Sequence, residues 1–224
     1  MSVTTSRLPL ARAEVYAERL REVLAAACED VLVVGSVRRR KVDVGDIELA
    51  VLPKFDEVPK DLFGGVVEGK RGPGYSQLDR VIGGLVEAGL LVVDPACQGP
   101  RQKRFRLGPG GIVWAHAGFT VELYIAQGLG NWGNTVAIRT GPKEWNIALV
   151  TSWQRGGLMP SMLCHKDGWL RWCGPGTSTT FQCPTEQHFF RHLKLPYVPP
   201  HKRTAELVEV LRSGRYDVDE LEAE

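Results

Sequence analysis

The chain has 224 residues, 43% of them hydrophobic and 24% charged, enough for one domain of two lobes or two small domains around a substantial core. The 28 Lys and Arg nearly balance 26 Asp and Glu, for a net charge of +2, so composition alone names no polyanionic partner and local clusters must carry that argument. No apolar run reaches membrane-spanning length and the N-terminus lacks the apolar core of a secretory signal, so no membrane partner and a cytoplasmic location are expected.

Between Pro9 and Cys28, the residues Ala13, Tyr16, Ala17, Leu20, Val23, Leu24 and Ala27 recur at three- and four-residue spacing among Glu and Arg. That pattern predicts an amphipathic packing helix. Val31 to Val34 is a β-branched run suited to a buried strand, broken at Gly35-Ser36 where the chain turns. Arg38, Arg39, Arg40 and Lys41 follow at a helix start, where free N–H groups and the positive dipole end also favour a phosphate. Asp46 to Leu52 returns as a strand, and period-two alternation puts Asp46 and Glu48 on one face. Two carboxylates beside an anion-binding turn make a place for a divalent metal ion bound to a polyphosphate.

Pro53 to Gly74 reads as a loop, most clearly at Arg71-Gly72-Pro73-Gly74. A second helix follows with Leu78, Val81, Ile82, Leu85 and Val86 as its apolar face, weakened by Gly83-Gly84 and ended by Gly89. Strands are predicted at Leu90 to Val93, Gln102 to Leu107 and Ile112 to Trp114, with a turn at Gly108 to Gly111. Phe119 to Ile125 is β-branched and aromatic enough to be a central strand. Glu122 lies within it, and a buried charge needs a partner, which metal held by Asp46 and Glu48 would supply.

Gly128, Gly130, Asn131 and Gly133 mark a junction, dividing the chain into domains at 1–127 and 128–224. Thr140-Gly141-Pro142 predicts a helix start, with the helix over Lys143 to Trp153 and a stop at Gly156-Gly157. Ser161 to His165 and Trp169 to Trp172 flank Lys166-Asp167-Gly168, a hairpin signal. A short helix over Pro184 to Leu193, an extended segment at Pro196 to Pro200, a helix over Ala205 to Leu211 and a frayed acidic tail complete an α+β chain. The clusters at Lys70-Arg71, Arg101 to Arg106 and His201-Lys202-Arg203 read as solvated faces. Five cysteines, an odd number, read as thiols. Cys164, Cys173 and Cys183, near His165, His188 and His192, raise a zinc site, although they lack paired C-x-x-C spacing.

Gly35-Ser36, Arg39, Gly45-Asp46 and Glu48 resemble the Gly-Ser and Gly-Asp-x-Asp signature of the polymerase beta nucleotidyltransferase superfamily, and more closely the DNA polymerase X family. Thr140-Gly141 followed by Trp145-Asn146 is similar to the family's thumb segment, in which Thr-Gly lies beside the nucleotide sugar and Phe-Asn beside its base. Glu186 to Arg203, ending in LPYVPPHKR, is similar to the closing segment. The resemblance runs from Pro9 to about Arg203 and implies a nucleotidyltransferase palm, a mixed sheet with packed helices, followed by a small α/β thumb.

It further implies DNA-directed transfer of a deoxynucleotide from dNTP to a primer 3′ hydroxyl, in gap filling, repair or replication. Asp46, Glu48 and Glu122 would bind two Mg²⁺, replaceable by Mn²⁺, roughly 4 Å apart. Gly35, Gly45, Ser36 and Arg39 would serve the triphosphate, Thr140 and Gly141 the sugar, and Trp145 and Asn146 the base. For Ser36 the alternative reading is a turn hydroxyl, for Arg39 a surface cation, for Asn146 a helix-surface amide. The sequence also departs from the family. Two acids are Glu where Asp is usual, Ile138-Arg139 replaces an aromatic pair, and Val150 stands where a template-contacting Arg is expected. The start close to the palm implies no lyase domain and no 5′-deoxyribose phosphate lyase activity. Two other functions remain open: template-independent or non-DNA nucleotidyl transfer, and a catalytically silent nucleic-acid-binding module.

Overall fold

Residues 7–55, 76–110, 117–176 and 179–222 are described by a computed structural model of the chain. Lys70-Arg71, the loop at 71–74 and the strand expected at 112–114 lie outside those residues. Leu8–Pro9 (β1) leads into the helix Leu10–Ala25 (α1), which buries Ala13, Tyr16, Ala17, Leu20 and Leu24 as its spacing predicts. Cys28–Val33 (β2) begins three residues before the expected strand, with a register shift between Cys28 and Asp30. Backbone pairing carries that polar start, which side-chain pattern does not reveal. The single turn Gly35–Arg38 (α2) follows, then Asp43–Val44 (β3), which pairs antiparallel with β1.

Ile47–Pro53 (β4), Gln77–Glu87 (α3), Leu91–Gln98 (β5), Gln102–Leu107 (β6) and Thr120–Ile125 (β7) complete the first half. Ser76 caps α3 by accepting from the Asp79 N–H, and Asp79 accepts in return from the Ser76 N–H, a reciprocal capping box. The main sheet runs β2-β4-β7-β6-β5, so β7 is central as expected, with β4 and β7 parallel and the other pairs antiparallel. β5 is longer than its apolar core suggests. It is an edge strand that tolerates Pro95 and a register irregularity between Val93 and Gln98.

The expected junction at 128–133 is instead helical, within Leu129–Thr140 (α4). Its glycines serve close packing: a Cβ on Gly133 would stand 2.0 Å from the Thr185 carbonyl oxygen, and one on Gly130 1.8 Å from Gln182 Oε1. Lys143–Val150 (α5) stops earlier than Trp153, where a separate 3-10 turn over Trp153–Arg155 begins. Leu163–Lys166 (β8) and Trp169–Trp172 (β9) form the predicted hairpin, and Asp167 and Gly168 both take the positive φ of such a turn. Glu186–His192 (α6) and Ala205–Ser213 (α7) are capped by Thr185 and Thr204 side chains. Val218–Glu222 (α8) is a short helix where a frayed tail was expected. Cys164 and Cys173 are joined as a disulfide across the hairpin. That overturns the reading of these two as thiols or zinc ligands, and Cys183 is buried in the adjacent core.

The fold is α+β. One core unites α1, α3 and one face of the sheet through Ile47, Leu49, Val51, Val121 and Leu123. A second gathers Ala137, Trp145, Leu149, Phe189, Phe190 and Leu211 from the C-terminal half. Between them Ala50, Leu52 and Tyr124, on the other sheet face, pack with Trp132 and Val136 of α4. The division expected at 127 and 128 thus falls just before α4, a helix that packs on the second sheet face through Trp132 and Val136 and in the second core through Ala137. Among the described residues no helix is long and apolar enough to cross a membrane.

Candidate active site

Alternation along two neighbouring strands builds the site. Since Ile47, Leu49 and Val51 face the first core, Glu48 projects to the opposite face, and on β7 Glu122 and Tyr124 do the same opposite Val121 and Leu123. Register brings them together: Glu48 lies beside Glu122, and on the other side Glu122 lies beside Arg104 of β6. Two like charges therefore stand side by side with one cation next to them. Asp46, two residues before Glu48, joins the same electrostatic cluster, its charge repelling that of Glu48.

Gly35 closes over this face. Its φ is +63°, and a Cβ there would lie 1.6 Å from Glu48 Oε2 and 3.1 Å from Glu48 Cβ, so only glycine lets the turn sit on the carboxylate. The Val34 N–H donates to the Glu48 carbonyl at 2.9 Å, fixing turn and strand together. Gly45 lies under Arg7, with a Cβ position 3.4 Å from Nη1. Ser36 Oγ is buried and has no hydrogen-bond partner among the described residues.

Burial and then the repulsion of Asp46 raise the Glu48 carboxyl to about 7, while a hydrogen bond from Tyr124 opposes the shift. Asp46 is likewise raised, by burial first and by Glu122 second. Tyr124 Oη reaches both Glu48 Oε1, at 3.1 Å, and Glu122 Oε2, and its single hydrogen is donated to one of them at a time. The guanidinium of Arg139 lies 4.2 Å from the Tyr124 ring centroid, an added cation–π contact. Burial raises the Tyr124 phenol further above its usual range.

Glu122, 8% exposed, was expected to find its partner in metal. Its partners are protein groups: Arg104 Nε donates to Oε1 at 2.7 Å and Gln102 Nε2 to Oε2 at 3.1 Å, besides Tyr124. Asp46 and Glu48 fit a hard divalent cation by donor type and by the mutual repulsion that a cation would relieve. Glu122 fits less well as placed, and among the described residues no group of three or more His, Cys, Asp or Glu side chains is arranged to hold a metal ion.

The C-terminal residues expected to face the nucleotide adjoin this cluster but are engaged. Arg39 Nη1 donates to the carbonyls of Thr140 and Gly141, the latter at 3.0 Å, while its Nε is buried without a partner. Burial lowers the Arg39 pKa, against the opposing charges of Glu48 and Asp46. Thr140 is fully buried, donating to the Val136 carbonyl and accepting from Arg38 Nη1, both at 2.7 Å. Gly141 packs on its neighbours: a Cβ would stand 2.3 Å from Trp145 Cδ1 and 2.9 Å from Asn146 Oδ1. Trp145, expected beside a base, is instead 0% exposed within the second core, its ring near Phe190. Asn146 is half-buried with Oδ1 unpartnered. Ile138 and Val150 pack against the second core.

Sequence reasoning singled out none of Tyr124, Arg104, Glu186 and Arg203 as site residues, and took Arg38 only as one of the basic run beside the turn. Alternation from Glu122 would have found Tyr124; the others need the strand order or the tertiary fold. Compared with known proteins, the chain matches no family model and no curated protein sequence. Side-chain arrangement is therefore what bears on function.

Proposed function

We propose that the chain is a nucleotidyltransferase of the DNA polymerase X type, transferring a deoxynucleotide from dNTP to a primer 3′ hydroxyl. One observation carries the reading: Glu48 and Glu122 lie in register on neighbouring parallel strands, joined by Asp46 and covered by the Gly35-Ser36 turn. On this reading the residues up to 127 form the palm and those from 128 the thumb. Mg²⁺ held by Asp46 and Glu48, with Glu122 completing the set once released from Arg104, would activate the hydroxyl and stabilise charge on leaving pyrophosphate.

The chain's own groups supply the rest. Ser36 Oγ and Arg39 Nε carry unused hydrogen-bonding capacity beside the acids and suit phosphate oxygens. Asn146 Oδ1, also unused, suits a base or sugar edge. Tyr124 keeps Glu48 and Glu122 oriented through its shared hydroxyl.

A second reading, a nucleic-acid-binding module without catalysis, is favoured by the engagement of Glu122 with Arg104, Gln102 and Tyr124. Primer extension with Mg²⁺ or Mn²⁺ on gapped, primed and single-stranded DNA separates the readings. Metal-dependent extension supports the polymerase, and equal yield without template shifts it to untemplated transfer. DNA binding without incorporation supports the silent module.

A further inference from the structure

Away from the acids, α2 and α6 border a cavity of about 930 Å³ with no Asp or Glu among the described residues of its lining. In a chain of nearly balanced charge that lining is selective. Arg40, Arg191 and His201 stand on its rim, all exposed, and none forms an ion pair with a described residue. Arg40 takes a left-handed backbone, φ 56°, two residues past the end of α2. Behind the wall, Glu186 is already neutralised twice, by Arg38 Nη2 at 2.6 Å and by Arg203 Nη1 at 3.0 Å, so it offers the rim cations little compensation.

The floor is of different chemistry. The half-buried Tyr197 lines it, backed edge to face by the 1% exposed Phe190, 5.7 Å between centroids and 77° between planes, with Pro199 and Pro200 beside them. A cationic rim over an aromatic floor matches the two parts of a nucleotide, phosphate and base. The volume lies at the upper end of ordinary ligand pockets. The cations come from three separate segments, the residues just past α2, the last turn of α6 and the Pro200–Lys202 turn. That distribution suits successive phosphates of a strand better than one triphosphate.

We propose that this cleft is a second nucleic-acid site, taking the backbone and a base of a single strand. It extends the proposed function by giving a strand a place to bind outside the acidic cluster, and it stands whether or not those acids are catalytic.

The test is a fluorescence-anisotropy titration of a labelled oligothymidylate in EDTA, without dNTP, over a series of salt concentrations. The double variant Arg40→Gln/Arg191→Gln removes two exposed charges while keeping side-chain length, and a thermal melt checks that it folds. The expected result is binding ~10-fold weaker, with the slope of log affinity against log salt shallower by about 1.4 for two lost phosphate contacts. Unchanged affinity and slope in a folded variant would overturn the site. Displacement of the strand by free dTTP as effectively as by unlabelled strand at equal nucleotide concentration would overturn its assignment to a strand. Since metal and dNTP are absent, failure here leaves the catalytic reading standing, and failed primer extension leaves this site standing.

Discussion

Glu48 and His165 titrate in opposite senses over one pH range. Glu48 is raised from 4.5 to about 7, so across that window the folded chain holds a proton that the unfolded chain has released, and stability falls as pH rises. His165 is lowered from 6.5 to about 4, by burial first and then by Arg139 and Arg101. Between those values the unfolded chain holds the extra proton, so stability rises with pH. Each effect is on the order of 3 kcal/mol. In metal-free urea unfolding, His165→Gln is expected to leave stability falling with pH through this window, and Glu48→Gln to leave it rising. Equal pH profiles in the two variants would contradict both assignments. The closeness of Asp46 and Glu48 was legible because they are two residues apart at a strand start, although β4 begins at Ile47 and leaves Asp46 just before it. The Arg104 partner of Glu122 was not, because β6 becomes its neighbour only through sheet order.

Glycines in helices separate local propensity from packing. In α3, Gly84 would meet nothing within 4 Å on gaining a Cβ, so Gly84→Ala is expected to stabilise by about 0.5–1 kcal/mol. In α4, Gly133 lies 2.0 Å by its Cβ position from a backbone oxygen, and Gly133→Ala is expected to destabilise by roughly 1–3 kcal/mol through overpacking. Denaturant midpoints of the two variants should move in opposite directions. This contrast explains why α4 was hidden from sequence: Gly130 and Gly133 look like breakers until the segment they pack against is known. α1, the β6 strand and the β8–β9 hairpin were legible, since periodicity and the Asp-Gly turn act within a few residues.

The cysteines give a check at the same scale. Burial raises Cys28 to about 11 and Cys183 to about 12, leaving the half-buried Cys97 as the accessible thiol. Alkylation followed by mass spectrometry should label one site in the folded protein. Cys28, Cys97 and Cys183 should all label in denaturant without reductant, and all five cysteines after reduction. Labelling of Cys164 or Cys173 before reduction would contradict the disulfide.

Across the molecule, a charge network ties the first half to the second. Glu186 of α6 receives Arg38 from the turn beside the acids and the 2% exposed Arg203 from the closing segment. Arg203 also donates to the Val198 carbonyl at 2.9 Å and lies 5.2 Å from the Phe190 ring. Glu186→Gln leaves two poorly solvated guanidinium groups without their counter-charge and is expected to cost about 3–5 kcal/mol in urea unfolding. The turn and the strand that follows it were legible along the chain. The turn's connection to α6 through Glu186 was not, being a contact between residues 148 apart.

The central claim is that the carboxylates beneath Gly35 perform nucleotidyl transfer. Its most direct test is incorporation of labelled dNTP into a primer–template by the unaltered protein and by Asp46→Asn, with Mg²⁺ or Mn²⁺ present. The account predicts metal-dependent incorporation by the unaltered protein, abolished in Asp46→Asn while its fold and DNA binding persist. Incorporation undiminished in Asp46→Asn, or none by the folded, DNA-binding unaltered protein with either metal, would contradict it.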